Sequence, residues 1–217
     1  MKKLNWILML LLFTSSLIAQ ETADKEAKRI LEKMRQQYES YEAIATDFKL
    51  TIEIPEMDKE IQQGKIIQRD EQYKLDLPDQ AVICDGETLW LHLKKNKEVQ
   101  INDVEEESED ILSPKDLLRM YEKDDYLYAL TNDDFEGKTA IQQIEFKPTD
   151  RDSEIAKLRL TVNKKNLEVM RIQAFNKDGS RYTLEVTTFK KNPTIDANTF
   201  VFNRADYPGV RVEDLRL

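Results

Sequence analysis

The stretch "ICDGETLWLH", residues 83–92, holds Cys84 and His92, the only cysteine and the only histidine of the chain, and Trp90, the only tryptophan beyond residue 20. A cysteine and a histidine could form a nucleophile and its base, provided that sulfur and ring nitrogen come within about 3 Å. Asp85-Gly86 is a strong two-residue hairpin signal. That register sets Cys84 opposite Glu87 and His92 near Asp79, which leaves Cys84 and His92 about 15 Å apart along the ribbon. The spacing therefore speaks against a dyad. His92 alone is a poor metal anchor, because a zinc or copper site without a second histidine needs an unusual set of carboxylates. The expectation is an exposed strand histidine, with Trp90 on the face opposite Leu89, Leu91 and Leu93 and packed under the N-terminal helix.

Other chemistry is equally sparse. The acidic run "EEESED", Glu105 to Asp110, lacks the alternating Asp/Asn pattern with a central glycine that shapes a calcium loop, and reads as a solvated loop. The sequence contains no serine within a glycine elbow and no phosphate-cradling glycine loop. Nothing supplies a nucleophile or a tuned base, so the residues point away from an enzyme, and no cofactor or metal is called for.

These residues must be positioned by a mostly β chain. Ala23, Ala27, Ile30, Leu31, Met34 and Tyr38 recur at steps of three and four, one stripe of a helix that Thr22 can cap. From Phe48 the period changes to two: Phe48, Leu50, Ile52 and Ile54 alternate with Lys49, Thr51 and Glu53 until Pro55 ends the strand. Further strands are expected at about 61–69, 72–77, 81–84, 87–93 and 98–103. A second series is expected at 141–146, 155–162, 167–175 and 181–189, with turns at "NKKN" and "KDGS". Phe200, Phe202 and "YPGV" suggest a last edge piece. Between the series, residues 105–130 read as short helices, with Ser113 and Pro114 as a helix start and Leu117, Leu118 and Tyr121 as its apolar face. No repeat or linker-like run divides the chain, so the expected architecture is a single domain: a curved antiparallel sheet or open barrel with helices against its mouth.

Composition bounds the setting. Met1, Lys2 and Lys3 precede "LNWILMLLLFTSSLIA", too short and wrongly flanked for a membrane span, so residues 1–19 read as a secretory signal cleaved after Ala19. No cysteine stands at that site to carry a lipid, and residues 20–217 should be exported in soluble form. The chain has 33 Lys and Arg against 42 Asp and Glu, a net charge of −9, and loss of the leader's two lysines makes it more acidic. Nucleic acid and anionic membrane surfaces are repelled at long range by such a chain. One cysteine makes no internal disulfide, so stability in an oxidising compartment must come from burial.

Four stretches together resemble the periplasmic outer-membrane lipoprotein carrier family, the LolA type. They are "ILEKMRQQYESYEAIATDF", "GKIIQRDEQYKLDL", "CDGETLWLH" and "ANTFVFNRADYPGVRVEDLR". The D-G-x-T-L-W hairpin is the most specific, and the order of the four spans nearly all of residues 20–217. The resemblance implies a mainly β (α+β) fold, an unclosed antiparallel β-barrel whose apolar concave face is covered by helices forming a lid. It implies a periplasmic chaperone that takes acylated lipoproteins from an inner-membrane lipoprotein-releasing ABC transporter, shields their acyl chains as a monomer, and passes them to an outer-membrane acceptor. Arg69 matches the family's early-strand arginine, which hydrogen-bonds to the lid and helps the empty protein close. Gln68 and Asp70 replace the basic residue and the proline that often flank it, which implies a latch of different strength.

A carrier of this kind needs a large apolar surface, since each buried methylene is worth about 0.8 kcal/mol and one acyl chain therefore roughly 12 kcal/mol. The lining candidates are Leu50, Ile52, Ile66, Tyr73, Leu75, Leu89, Leu91, Ile101, Leu117, Leu118 and Met120. Alternation puts Arg69 with Ile67 rather than Ile66. If it lies in an apolar mouth, lid carbonyls or a carboxylate must answer its charge. The competing readings are a lipid- or protein-sensing regulatory module of the same fold, which would be expected to carry a further domain after "DLRL", and an envelope protein whose barrel is filled.

Overall fold

The computed structural model describes residues 24–104, 120–122 and 125–216. The leader, the Thr22 cap, the acidic run and the helix start at Ser113–Pro114 with Leu117 and Leu118 lie outside the described residues, as does the side chain of Met120. Helix α1 covers residues 24–39. Twelve strands follow: β1 Ile44–Glu53, β2 Glu60–Arg69, β3 Gln72–Asp76, β4 Gln80–Cys84, β5 Thr88–Leu93, β6 Glu98–Asp103, β7 Tyr126–Glu136, β8 Thr139–Pro148, β9 Ile155–Asn163, β10 Val169–Asn176, β11 Arg181–Lys191 and β12 Arg211–Asp214. Mostly β structure with one α-helix among the described residues is the composition that the periodicities anticipate.

The chain forms two compact units, Met1–Gln37 with Pro114–Asp178 and Tyr38–Ser113 with Gly179–Leu217. Each is built from two distant segments, so no linker-like run separates them in the sequence.

In the first unit β7, β8, β9 and β10 pair antiparallel in chain order. One face carries Ile144, Phe146, Leu158, Leu160 and Val162, all buried to 2% exposure or less. The charged face opposite holds Glu145 between Lys157 and Arg159, at 2.9 and 2.6 Å. Arg35 of α1 donates through Nε to the Tyr121 hydroxyl at 2.9 Å, and Gln37 donates to the Asn166 carbonyl at 2.9 Å. Around this buried centre Tyr128, Leu130, Ile172 and Ala174 lie on the same face and are partly covered.

Residues 105–130 were expected to hold short helices after the acidic loop, and the structure corrects part of that. Only a 3₁₀ turn, Met120–Glu122, is helical among their described residues, and Tyr126–Leu130 open β7. Tyr126, Tyr128 and Leu130 do alternate, but a bulge between Leu130 and Asn132 breaks the period. The acidic residues beyond it have low strand propensity, which hides the strand.

In the second unit the order is β12-β6-β5-β4-β3-β2-β1-β11, antiparallel throughout except for β12, which runs parallel to β6. The expected last edge piece is thus two things. Residues 200–207 form an irregular segment with a 3₁₀ turn at Arg204–Asp206, capped by Asn203, and only then does β12 pair. Parallel partners cannot be joined by a tight hairpin, and residues 104–210 separate β6 from β12.

Candidate functional site

Residues paired across neighbouring strands share a face, and neighbours along a strand alternate. The register therefore sorts the second unit's side chains without ambiguity. Leu50 pairs with Leu184, Ile66 with Thr46 and Leu75, Tyr73 with Cys84 and Leu75 with Val82, and Val82 with Leu91 and Cys84 with Leu89. Leu50, Ile52, Ile66, Tyr73, Leu75, Leu89 and Leu91 thus lie on one face.

Ile101 does not. It pairs with Trp90 and belongs to the opposite face. Of the other lining candidates, Leu117 and Leu118 lie outside the described residues, and Met120 starts the 3₁₀ turn of the first unit.

The apolar face has a packed centre and a looser surround. Phe48, Ile66 and Leu77 are buried together, with Leu50, Leu75 and Leu184 packed against them and only partly covered. Ile52, Tyr73, Leu89, Leu91 and Leu93 are likewise half-buried. Gly64 opposite Phe48 makes the centre possible, because a Cβ there would stand 2.3 Å from Phe48 Cζ and 2.8 Å from Leu77 Cδ2. At one end Tyr38, Tyr41 and Phe189 form an aromatic trio with ring centroids 5.5–6.2 Å apart. Phe48, Leu77, Leu93 and Leu184 also belong to this face, although none was among the lining candidates. Their alternation with polar neighbours was the available signal for Phe48 and Leu184.

The opposite face carries Arg69, Ile83, Trp90, His92 and Ile101, and residues 200–207 are laid over it. Trp90 stacks on Phe202, centroids 6.2 Å apart at 23°. Phe202 stacks on Tyr207 at 5.1 Å, and Tyr207 meets the His92 ring edge-on at 4.9 Å. His92 is therefore half-buried, where an exposed strand position was expected. Burial, and then the nearby Lys94 ammonium, lower its pKa, with Asp76 pulling the other way. Burial raises the Tyr207 hydroxyl, assisted by Asp206 and Asp76. Lys94 itself donates to Asp76 Oδ1 at 2.5 Å.

Arg69 is half-buried on this same face. Its Nε and Nη2 donate to Gln72 Oε1 at 3.3 and 2.8 Å, and the guanidinium carbon lies 5.2 Å from the Phe200 ring centroid. Gln72 in turn donates to the Asp85 carbonyl at 3.1 Å. Arg69 thus ties the β2–β3 turn to the β4–β5 loop and to the buried Phe200.

The hairpin register differs from the expected one by two residues. Cys84 pairs with Leu89 and Ala81 with His92, and the Asp85 amide donates to the Thr88 carbonyl at 3.2 Å, so the turn is centred on Gly86 and Glu87, one residue beyond the expected Asp85-Gly86. Asp85 Oδ1 closes it by accepting from the Glu87 and Thr88 amides at 2.9 and 2.8 Å. Cys84 and His92 consequently point to opposite faces and form no dyad. The Cys84 thiol is buried, which pushes its pKa up despite a hydrogen bond from the Gly86 amide. Such a thiol is a poor nucleophile.

The arrangement offers binding surface. Among the described residues no helix is long and apolar enough to cross a membrane. No curated protein matches the chain significantly. An uncharacterised conserved protein of Thermus thermophilus matches its structure with a TM-score of 0.59 at 11% identity, over 87% of this chain and 99% of that one. A LolA superfamily protein from Nitrosomonas europaea aligns with a TM-score of 0.44 at 15% identity, over 81% and 97% of the two chains. MucB aligns at 0.46 and 14%, over 84% and 63%. Residues 39–203, most of the chain, match the model of the family described as outer membrane lipoprotein carrier protein LolA, and the chain belongs to that family.

Proposed function

We infer that this protein carries lipoproteins across the periplasm, holding their acyl chains against the apolar face of the second unit. The observation that carries the reading is the breadth of the incompletely covered apolar face of the second unit. Leu50, Ile52, Leu75, Leu89, Leu91, Leu93 and Leu184 remain partly uncovered there around the Phe48 cluster. Half-exposed aliphatic side chains on one face are a standing cost in water, at about 25 cal/mol per Å² of apolar surface. An acyl chain of some fifteen methylenes laid on them is worth roughly 12 kcal/mol when fully shielded.

In this reading the sheet is an unclosed barrel. Cargo comes from an inner-membrane releasing transporter and leaves to an outer-membrane acceptor. Arg69 acts from the opposite face, through Gln72 and Phe200, on the loops at the barrel's end. Catalysis plays no part.

The test is native mass spectrometry of the purified protein with a triacylated lipopeptide, without detergent, beside Arg69→Leu. A water-soluble one-to-one complex is expected, with altered retention in the variant. Folded protein that takes up no lipopeptide defeats the carrier reading and leaves a sensing module or a filled barrel. Unchanged retention in Arg69→Leu defeats only the role given to Arg69.

A further inference from the structure

The β1–β2 hairpin outruns its neighbour. β2 pairs with β1 from Glu60 onward, but with β3 only from Lys65. Among the described strands nothing pairs with the outer edge of β2 over Glu60–Gly64, which therefore presents backbone groups to solvent. A bare edge of this kind accepts another strand.

Two apolar side chains stand on this projection without cover. Met57 is 66% exposed and Ile61 59%. The turn that presents them is ordered, since the Met57 amide donates to the Ile54 carbonyl at 3.1 Å and Glu56 adopts a left-handed φ of 65°. Around them stand Glu56, Asp58 and Glu60. Of the cations near the tip, Lys59 is turned to Glu53 at 3.5 Å and Arg181 stands opposite Glu53 on β11, and Gln62 donates to Glu60 Oε1 at 2.7 Å. The tip is thus apolar at its centre and negative around it.

We propose that this edge is a docking site for an extended, Lys- or Arg-bearing segment of a partner protein, which adds as a strand along Glu60–Gln63 and seats an apolar side chain on Met57 and Ile61. Charge decides the occupant. A second copy of this acidic chain brings more negative charge to the tip, and an anionic membrane is repelled by it, whereas a cationic strand gains at each alternate residue. The acyl-binding face plays no part in the argument, so the proposal stands or falls apart from lipid carriage.

The probe is a nine-residue peptide of alternating lysine and valine, titrated into isotope-labelled protein and followed by backbone amide shifts and hydrogen exchange. Its counterpart has glutamate for lysine. The lysine peptide is expected to perturb and protect residues 57–64, and the glutamate peptide to leave them unchanged. Met57→Ser with Ile61→Ser weakens binding about tenfold, the scale of ~1.4 kcal/mol. Asp58→Lys with Glu60→Lys reverses the preference between the peptides. Asp150→Lys with Asp152→Lys, exposed positions of the first unit, changes the net charge equally and leaves the affinity as it was. The proposal is overturned if the peptide does not bind, if perturbations spread over the acidic surface, or if the Asp150 and Asp152 control weakens binding as much as the tip variants do.

Discussion

Gly64 offers the sharpest test of how the apolar face is built. Its φ is ordinary, so the requirement for glycine is spatial: an added Cβ would meet Phe48 Cζ at 2.3 Å, Phe48 Cε2 at 2.6 Å and Leu77 Cδ2 at 2.8 Å. Phe48 is 5% exposed at the centre of its cluster, with Ile66 and Leu77 on either side, so the ring cannot give way without disturbing both. Overpacking of this kind costs about 1–3 kcal/mol. Replacing a strand glycine returns roughly 0.5–1 kcal/mol through the unfolded chain. Gly64→Ala should therefore destabilise the protein by about 1–2 kcal/mol. For a chain of this size that lowers Tm by roughly 2–8 °C. Phe48→Leu alone opens a cavity and is destabilising by about 1–3 kcal/mol. The double variant is expected to cost less than the sum, because the shortened side chain vacates the space that the new methyl needs. Urea unfolding read by tryptophan emission suits the measurement, since Trp90 lies in the same unit. A neutral or stabilising Gly64→Ala, or strict additivity in the cycle, would refute the reasoning.

Further outcomes follow from the opposite face and from the β6–β12 edge. His92 has a lowered folded pKa, so the unfolded chain takes up the proton first on acidification; its contribution is complete above the unfolded value near 6.5 and is lost as pH falls through that region. His92→Gln should reduce the difference between urea midpoints at pH 7.5 and pH 5, and an NMR titration should place the ring below the free-histidine value. Phe202→Ala removes the stacking partner of Trp90, shifting its emission to the red and costing about 1–3 kcal/mol for a half-buried ring, by urea titration. Glu98→Gln removes the ion pair with Arg211 that joins β6 to β12. It should raise amide exchange at Arg211–Asp214 while global stability falls by less than about 1 kcal/mol.

Much of the second unit was legible because its strands alternate. Phe48, Leu50 and Ile52 announce their face by period alone, and Ile66, Leu75 and Leu91 fall on it as expected. Three features did not follow. The turn centred on Gly86 and Glu87 was hidden by the strength of the Asp-Gly signal, although Asp85 closing such a turn by side-chain bonds to two amides is equally available chemistry. Ile101 was misplaced because a rare-residue stretch fixes its own register but not that of the strand after it. The partial burial of His92 was missed because its cover, residues 200–207, returns from far along the chain and has no periodicity. The strand β7 was concealed by its bulge. A face can be read from alternation, whereas what lies on that face is decided by tertiary structure.

The division of each unit between distant segments bears on how the chain is made. β1 finds β2 as soon as the first hairpin emerges, but its other edge waits for β11, and Thr187 reaches the Asp47 carbonyl across 140 residues of chain. Pairings of such long range are slow to form. During vectorial synthesis or export, Phe48, Leu50 and Ile52 therefore stand in a half-built sheet for most of the time needed to deliver the chain. In that interval they resemble an aggregation-prone intermediate more than a finished protein. Chains truncated before Arg181 should consequently accumulate as insoluble material or engage holding chaperones, while the complete chain does not.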